Sequence, residues 1–263
     1  MISLKCLSLS RQTVRKIRID AQPMFILSTS PWRESSLSLE VFTRDYGKIS
    51  LIARSARKRQ SDLRGVLMPF VPIEASWFGQ NGHYTLHTAT WLGGWAQPQG
   101  QALMSAWYVN ELLLNLTAKE DAMPNVYQCV YHTMQALSTT PNQAPILRVF
   151  EWQLLKSLGL APDLSVDQQE QPLHAQADYW MRPEHAPFKV GSDARISHMR
   201  DAVTVSGATL LALNGQMPWS EITQKEALRL NRRLIQFRLP QGLHSRNVLQ
   251  QLQHWKQELN LHL

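Results

Sequence analysis

Between Arg44 and Gly65 the chain carries seven basic and two acidic side chains, threaded through apolar, strand-like segments. Arg54, Arg57, Lys58, Arg59 and Arg64 run from the end of one such segment into a polar connection, and Arg44 and Lys48 bracket the turn before it. Cations spaced along a β surface neutralise a row of phosphates and release the counterions condensed on them. The same residues also suit a solvated loop that keeps a sheet edge from pairing with another chain. Residues 1–64 hold thirteen Lys and Arg against five Asp and Glu, a net +8, whereas the whole chain carries a formal +7. The remaining residues therefore sum to −1. That asymmetry points to a partner with repeating negative charge.

Two further groups could recognise anions. Arg229, Arg232 and Arg233 stand at i, i+3 and i+4 on one helical face, and Arg246 follows; they read as a second basic surface or as a solvated amphipathic face. Arg148 has Trp152 at i+4 and Leu155 at i+7, beside an apolar stripe. A cation next to an apolar groove can seize the terminal carboxylate of a peptide while the groove takes its side chains. An ion pair of Arg148 with Glu151 or Glu111 is the alternative, and spacing alone favours it. Of the aromatic residues, Trp32 and Trp77 are candidates for stacking on bases, while the others alternate with apolar neighbours as core residues do.

Catalytic chemistry finds no constellation. The chain has no Gly-rich phosphate loop, no G-x-S-x-G, no H-E-x-x-H and no clustered carboxylates. Cys6 and Cys129 are too far apart for a disulfide framework or a metal pair, and His83 and His87 share a strand face without a further ligand. A non-enzymatic protein without metal or cofactor is expected, in a reducing intracellular setting. No apolar run is long enough to span a membrane, and the basic N-terminus lacks the apolar core of a secretory signal.

The elements that must position these residues change character midway. "MFILST" at 24–29, "SLSLEVFT", "KISLIAR", "VLMPFVPIEASWF" and "HYTLHTATWL" read as strands. In the second, Leu37, Leu39 and Val41 share one face; in the third, Ile49, Leu51 and Ala53 do. "DYG" at 45–47 and "QNG" at 80–82 are hairpin turns. Pro69 and Pro72 confine the fourth run to an edge or bulged strand. After the "QPQGQ" linker the apolar period becomes helical: helices are expected over 102–118, from Pro124 to about Ser138, over 146–158, from a Ser206 cap through Leu213, over 223–238 and over 245–261. The layout is α+β: a basic extension at 1–22, a small β-barrel at 23–97 and a mainly α-helical domain at 98–263. Within the last, residues 161–203 form a long irregular excursion with room for a short strand or two.

Several segments, in order, resemble the RecO family of bacterial recombination mediators: "SPWRESSLSLEVFTRDYGKISLIARSARKRQSDLRGVLMPFVP", "YVNELL", "LRVFEWQLLKSLGLAPDL", "LLALNG" and "GLHSRNVL". They span about residues 24 to 250. The resemblance implies an OB-fold barrel followed by a helical domain. It implies a cytoplasmic, nucleoid-associated DNA-repair protein that binds single- and double-stranded DNA and anneals complementary strands. Its implied partners are the C-terminal tail of the single-stranded-DNA-binding protein, RecR and, indirectly, RecA. Arg33, Arg44, Lys48, Arg54, Arg57, Lys58, Arg59 and Arg64 become the DNA-binding set. Arg148 matches an Arg of the family's tail-binding helix, with Trp152 and Leu155 beside it. Many members carry a four-Cys zinc site after the "LGL" helix; residues 161–203 contain no Cys, so zinc is not expected. Ser55 stands where the family commonly has Gly, and Ser30 where it often has Arg. An OB-fold RNA-binding accessory module is the alternative function, and an enzyme with its site in 161–203 a third.

Overall fold

The structure, a computed structural model, describes residues 17–191, 202–245 and 248. Strands β1 (Ile17–Trp32), β2 (Ser36–Thr43), β3 (Gly47–Ala53), β4 (Ile73–Gln80) and β5 (His83–Trp91) close into a barrel in the order β1-β2-β3-β5-β4. Neighbours are antiparallel except β3 and β5, which close the barrel in parallel. This is an OB-like arrangement. Helices α1 (Gln101–Leu116), α2 (Pro124–Thr139), α3 (Ala144–Ser157), α4 (Gly207–Leu213) and α5 (Glu221–Arg238) follow. Strands β6 (Asp178–Met181), β7 (Phe188–Lys189) and β8 (Val203–Ser206) form a small sheet of order β7-β6-β8 inside the helical part.

Period-2 alternation sorts the barrel side chains into two cores. Met24, Ile26, Leu39, Val41, Ile49, Leu51 and Ala53 point inward and pack on one another. Phe25, Leu27 and Phe42, on the opposite face, join a cluster that includes Val109, Leu112, Val126 and Tyr127 from the helices. β1 is therefore buried on both faces over residues 24–27, which is why its sequence is continuously apolar there.

Two polar contacts fix the barrel against α1. The β1–β2 register slips between Ile26 and Ser28, and such a bulge disrupts the strand ladder. Asn110, fully buried, donates its amide to the carbonyls of Ile26 and Leu27 at 3.0 Å each. Lys48 on β3 is only 6% exposed, and its Nζ donates to the carbonyls of Leu114 and Thr117 at 2.6 Å each. These belong to the end of α1, where carbonyls lack helical partners and the helix dipole is negative. Burial pulls the Lys48 pKa below its ordinary value, against the opposing pull of Glu40. Gly47 stands beside it at φ 62°, where a Cβ would lie 1.8 Å from the Asp121 carbonyl oxygen, so only glycine lets the segment after α1 approach this closely.

Several expectations need correction. β1 begins at Ile17, so residues 17–22 belong to the barrel and not to an extension; Ile17–Ile19 and Gln22–Met24 pair with β4. Residues 1–16 lie outside the described residues. β4 starts after Pro72, and Val66 to Pro72 forms turns instead of strand, which leaves both prolines where no ladder hydrogen bond is needed. The excursion does carry two short strands, β6 and β7, which join β8 at its end in one sheet, and Trp180 stacks on Phe188 at 6.2 Å. Ser206 caps α4 as expected, its side chain accepting from the Thr209 amide. The helix expected over 245–261 falls almost wholly outside the described residues.

Replacing Lys48 by Ala leaves two buried carbonyls without a donor. Loss of two hydrogen bonds to a charged donor is expected to cost about 2–4 kcal/mol. Urea denaturation of Lys48→Ala measures it, and a loss under about 0.5 kcal/mol would show the latch to be dispensable.

Candidate nucleic-acid interface and partner groove

After β3 the chain turns at Ser55, which takes φ 56°, a conformation costly for a residue with a side chain. This is the physical reason glycine suits the position. Amide-to-carbonyl hydrogen bonds then recur every three residues: Lys58 to Ser55 at 3.0 Å, Ser61 to Lys58 at 3.1 Å and Arg64 to Ser61 at 3.0 Å. These successive turns lay Ala56, Leu63, Val66 and Leu67 against the barrel core. Arg54, Arg57, Lys58, Arg59 and Arg64 are left exposed.

The segment is tied to the β1–β2 turn. The Arg57 amide donates to the Ser35 carbonyl at 2.8 Å, and its Nη1 reaches the Glu34 and Arg33 carbonyls at 3.3 and 3.5 Å. That turn presents Arg33 and Trp32, the latter 45% exposed. One end of the barrel thus gathers six of the eight expected cations and one aromatic side chain.

The other two cations do not join them. Arg44 lies at the opposite ends of β2 and β3 and is paired in bidentate fashion with Asp45, both contacts 2.9 Å. Lys48 is buried in the latch to α1, so its assignment to a DNA surface is withdrawn. Trp77 is 1% exposed and packs in the barrel core, which removes it as a stacking residue on an open face. For Lys48 and Trp77 the sequence shows the residue type, while burial is decided by a segment distant in the chain.

A concavity of about 220 Å³ opens between α1, α3 and α5. Met104, Leu147, Leu239 and Leu243 supply apolar wall, and Arg148 and Arg232 line it as cations. Arg148 is 7% exposed, with Nη2 donating to Glu151 Oε1 at 2.5 Å. Tyr108 donates its hydroxyl to the same oxygen at 2.6 Å, and Asn231 donates to Glu151 Oε2 at 2.8 Å and to the Arg148 carbonyl at 2.9 Å. Arg148 Nε has no hydrogen-bond partner among the described residues. Of the two carboxylates spacing offered to Arg148, the structure selects Glu151. Glu111 instead accepts from the amides of His244 and Ser245.

Trp152 and Leu155 do not line this groove: both are buried in the helical core. Their i+4 and i+7 spacing from Arg148 is right for α3, but the groove wall is made by the neighbouring turn, at Leu147 and Glu151. Arg229 is exposed, Arg233 half-buried and Arg232 on the groove wall, so these three do not form one basic stripe. Arg246 lies outside the described residues. Tyr108 and Glu151 on the groove wall, and Asn231 buried behind it, were missed as members of this site. Asn231 had a visible signal, being a polar residue on the buried stripe of Ala227, Leu230 and Leu234.

Among the described residues, no group of three or more His, Cys, Asp or Glu is placed to hold a metal, and no helix is long and apolar enough to cross a membrane. Removing Arg148 leaves a buried Glu151 carboxylate without its cation. Arg148→Ala is expected to lose about 3–5 kcal/mol of stability, and Arg148→Met with Glu151→Leu to recover much of it. Urea denaturation of the two variants checks both; a single-variant loss under about 1 kcal/mol would mean a solvated pair.

Residues 21–95 match the family described as Recombination protein O N terminal, and residues 97–247 match Recombination protein O C terminal. The chain is 48% identical over 237 residues to "DNA repair protein RecO" of Neisseria meningitidis serogroup C, covering 89% of each. It is 48% identical over 237 residues to the protein of the same name from Neisseria gonorrhoeae, covering 89% of this chain and 95% of that one. With the Chromobacterium violaceum protein of that name the identity is 38% over 237 residues, covering 90% and 96%. Two family matches that together cover most of the chain, and relatives alike over nearly their whole length, place it: this protein belongs to the RecO family.

Proposed function

We propose that this protein acts in DNA repair and recombination as a non-enzymatic mediator that binds single- and double-stranded DNA and anneals complementary strands. The observation that carries the reading is the turn-rich segment after β3, which leaves Arg54, Arg57, Lys58, Arg59 and Arg64 exposed at one barrel end, beside Arg33 and Trp32. Annealing needs neutralised phosphates and bases left free to pair. A row of cations with a single exposed ring meets that requirement better than a series of aromatic platforms does. In this reading residues 23–97 are the DNA-binding domain, joined at their start by residues 17–22, and residues 98–263 the partner-binding domain.

The groove between α1, α3 and α5 is the docking site for the acidic C-terminal tail of the single-stranded-DNA-binding protein. Its apolar walls suit the tail's side chains, and Arg232, exposed on the wall, suits its terminal carboxylate, with Arg148, already paired to Glu151, adding charge from behind. With RecR, the protein then helps load RecA on the coated strand, which places it in the cytoplasm at the nucleoid.

Two measurements test the reading. Arg54→Gln, Lys58→Gln and Arg59→Gln together are expected to slow annealing and to make the slope of log affinity against log salt shallower by about 3; Arg57 is spared because it tethers the segment. An unchanged slope puts the DNA elsewhere. For the groove, anisotropy titration compares an acidic C-terminal peptide with its C-terminally amidated form. The amide is expected to bind about tenfold more weakly, and equal binding would remove the carboxylate from the recognition.

A further inference from the structure

A second cavity, of about 210 Å³, opens on the barrel at the end opposite the basic segment. Ile17 and Ile19 of β1 form one side, Tyr46 and Tyr84 supply aromatic walls, and Trp77 lies beneath, its ring 5.5 Å from that of Tyr46 and nearly perpendicular to it. Glu120, in the segment after α1, is the one carboxylate on the lining. Its backbone is held at φ 57° while its amide donates to the Lys48 carbonyl at 2.9 Å. Strained backbone of this kind persists only where the surroundings enforce it, and here it sets the carboxylate near the β4–β5 turn: a Cβ on Gly82 would stand 3.6 Å from Glu120 Oε1. Burial first, and then the nearby Glu120 carboxylate, raises the Tyr84 pKa.

The volume falls below the range of about 300–1,000 Å³ usual for drug-sized ligands and cofactors, which leaves a single flat ring system. The walls favour one too, because any base presents a π-face to an aromatic side chain. The carboxylate narrows the choice. An ionised Glu only accepts hydrogen bonds, so it fits an edge with adjacent N–H donors. Guanine offers N1–H and the exocyclic amine side by side, whereas thymine sets one N–H between two carbonyl oxygens. Lys119, next in the chain, is 67% exposed and held by Ser50 at 3.2 Å and a loose 4.0 Å pair with Glu40, so its charge is on hand for the attached phosphate.

We propose that this cavity takes one unpaired guanine from a single strand bound to the barrel, with its Watson–Crick edge on Glu120 and its ring against Tyr46 and Tyr84. The inference rests on the DNA-binding reading above and goes beyond it, since the basic segment reads no sequence. One held base is compatible with annealing, because its neighbours stay free to pair.

Anisotropy titrations with three short labelled strands test the proposal: homothymidine, the same strand with one central guanine, and the same strand with hypoxanthine in place of that guanine. The guanine strand is expected to bind about tenfold more tightly than homothymidine, and hypoxanthine, which lacks the exocyclic amine, to fall between. Glu120→Gln, which turns a donor toward the guanine edge, is expected to lose the preference. Equal affinities in the parent protein, or the same preference in Glu120→Gln, overturn the proposal. If Glu120→Gln does not fold by circular dichroism, Tyr46→Ala at the exposed turn takes its place, and a preference it retains is equally fatal. Failure to bind any of the three strands sinks the DNA reading itself; equal binding of all three sinks only the guanine site.

Discussion

The ammonium of Lys48, enclosed between the carbonyls of Leu114 and Thr117, is the contact on which the arrangement of the two halves turns. A lysine taken out of water is stable only if its donors find strong acceptors, and a helix C-terminus provides them together with the favourable end of its dipole. Asn110 works in the reverse direction, carrying donors from the helix to the bulged strand β1. Gly47 lets the backbone after α1 come close enough for both. With these fixed, the basic segment, the helical groove and the Glu120 pocket keep constant positions on one frame.

Much of the architecture was readable beforehand. The alternation in β2 and β3 named the residues that fill the barrel, and the helical stripes located α1 to α5 closely. What could not be read was how one segment covers another. Lys48 looks like any cation on a half-exposed strand until α1, some seventy residues on, closes over it. Residues 17–22 look like a polar tail until β4 supplies partners. Trp77 sits in a sequence that fits either face, and only barrel closure turns it inward. At the groove, the ion pair of Arg148 with Glu151 follows from i, i+3 spacing, whereas Tyr108 and Asn231 come from other helices and become neighbours only through packing.

Exposure, more than charge, sorts the cations into roles. Those after β3 stand on turns whose apolar members are anchored in the barrel, so the charged heads face solvent on a firm base. Arg44 is neutralised by the residue next to it, and Arg148 by a residue one helical turn away. A count of basic residues overstates the surface open to phosphate, and the turns from Ser55 to Val66 are what keep the remainder in one place.

Phe25, Leu27, Phe42, Phe70 and Trp95 share a single apolar cluster with the first three helices, and Phe25 touches Trp95, Tyr127 and Tyr131 through its ring. Close-packed interiors feel a change of one methylene. The barrel and the helices are thus bound to a common heredity: a volume change on one side of the seam selects for its complement on the other. A hybrid gene joining the barrel of one relative to the helices of another would inherit a mismatched seam even where each half is sound.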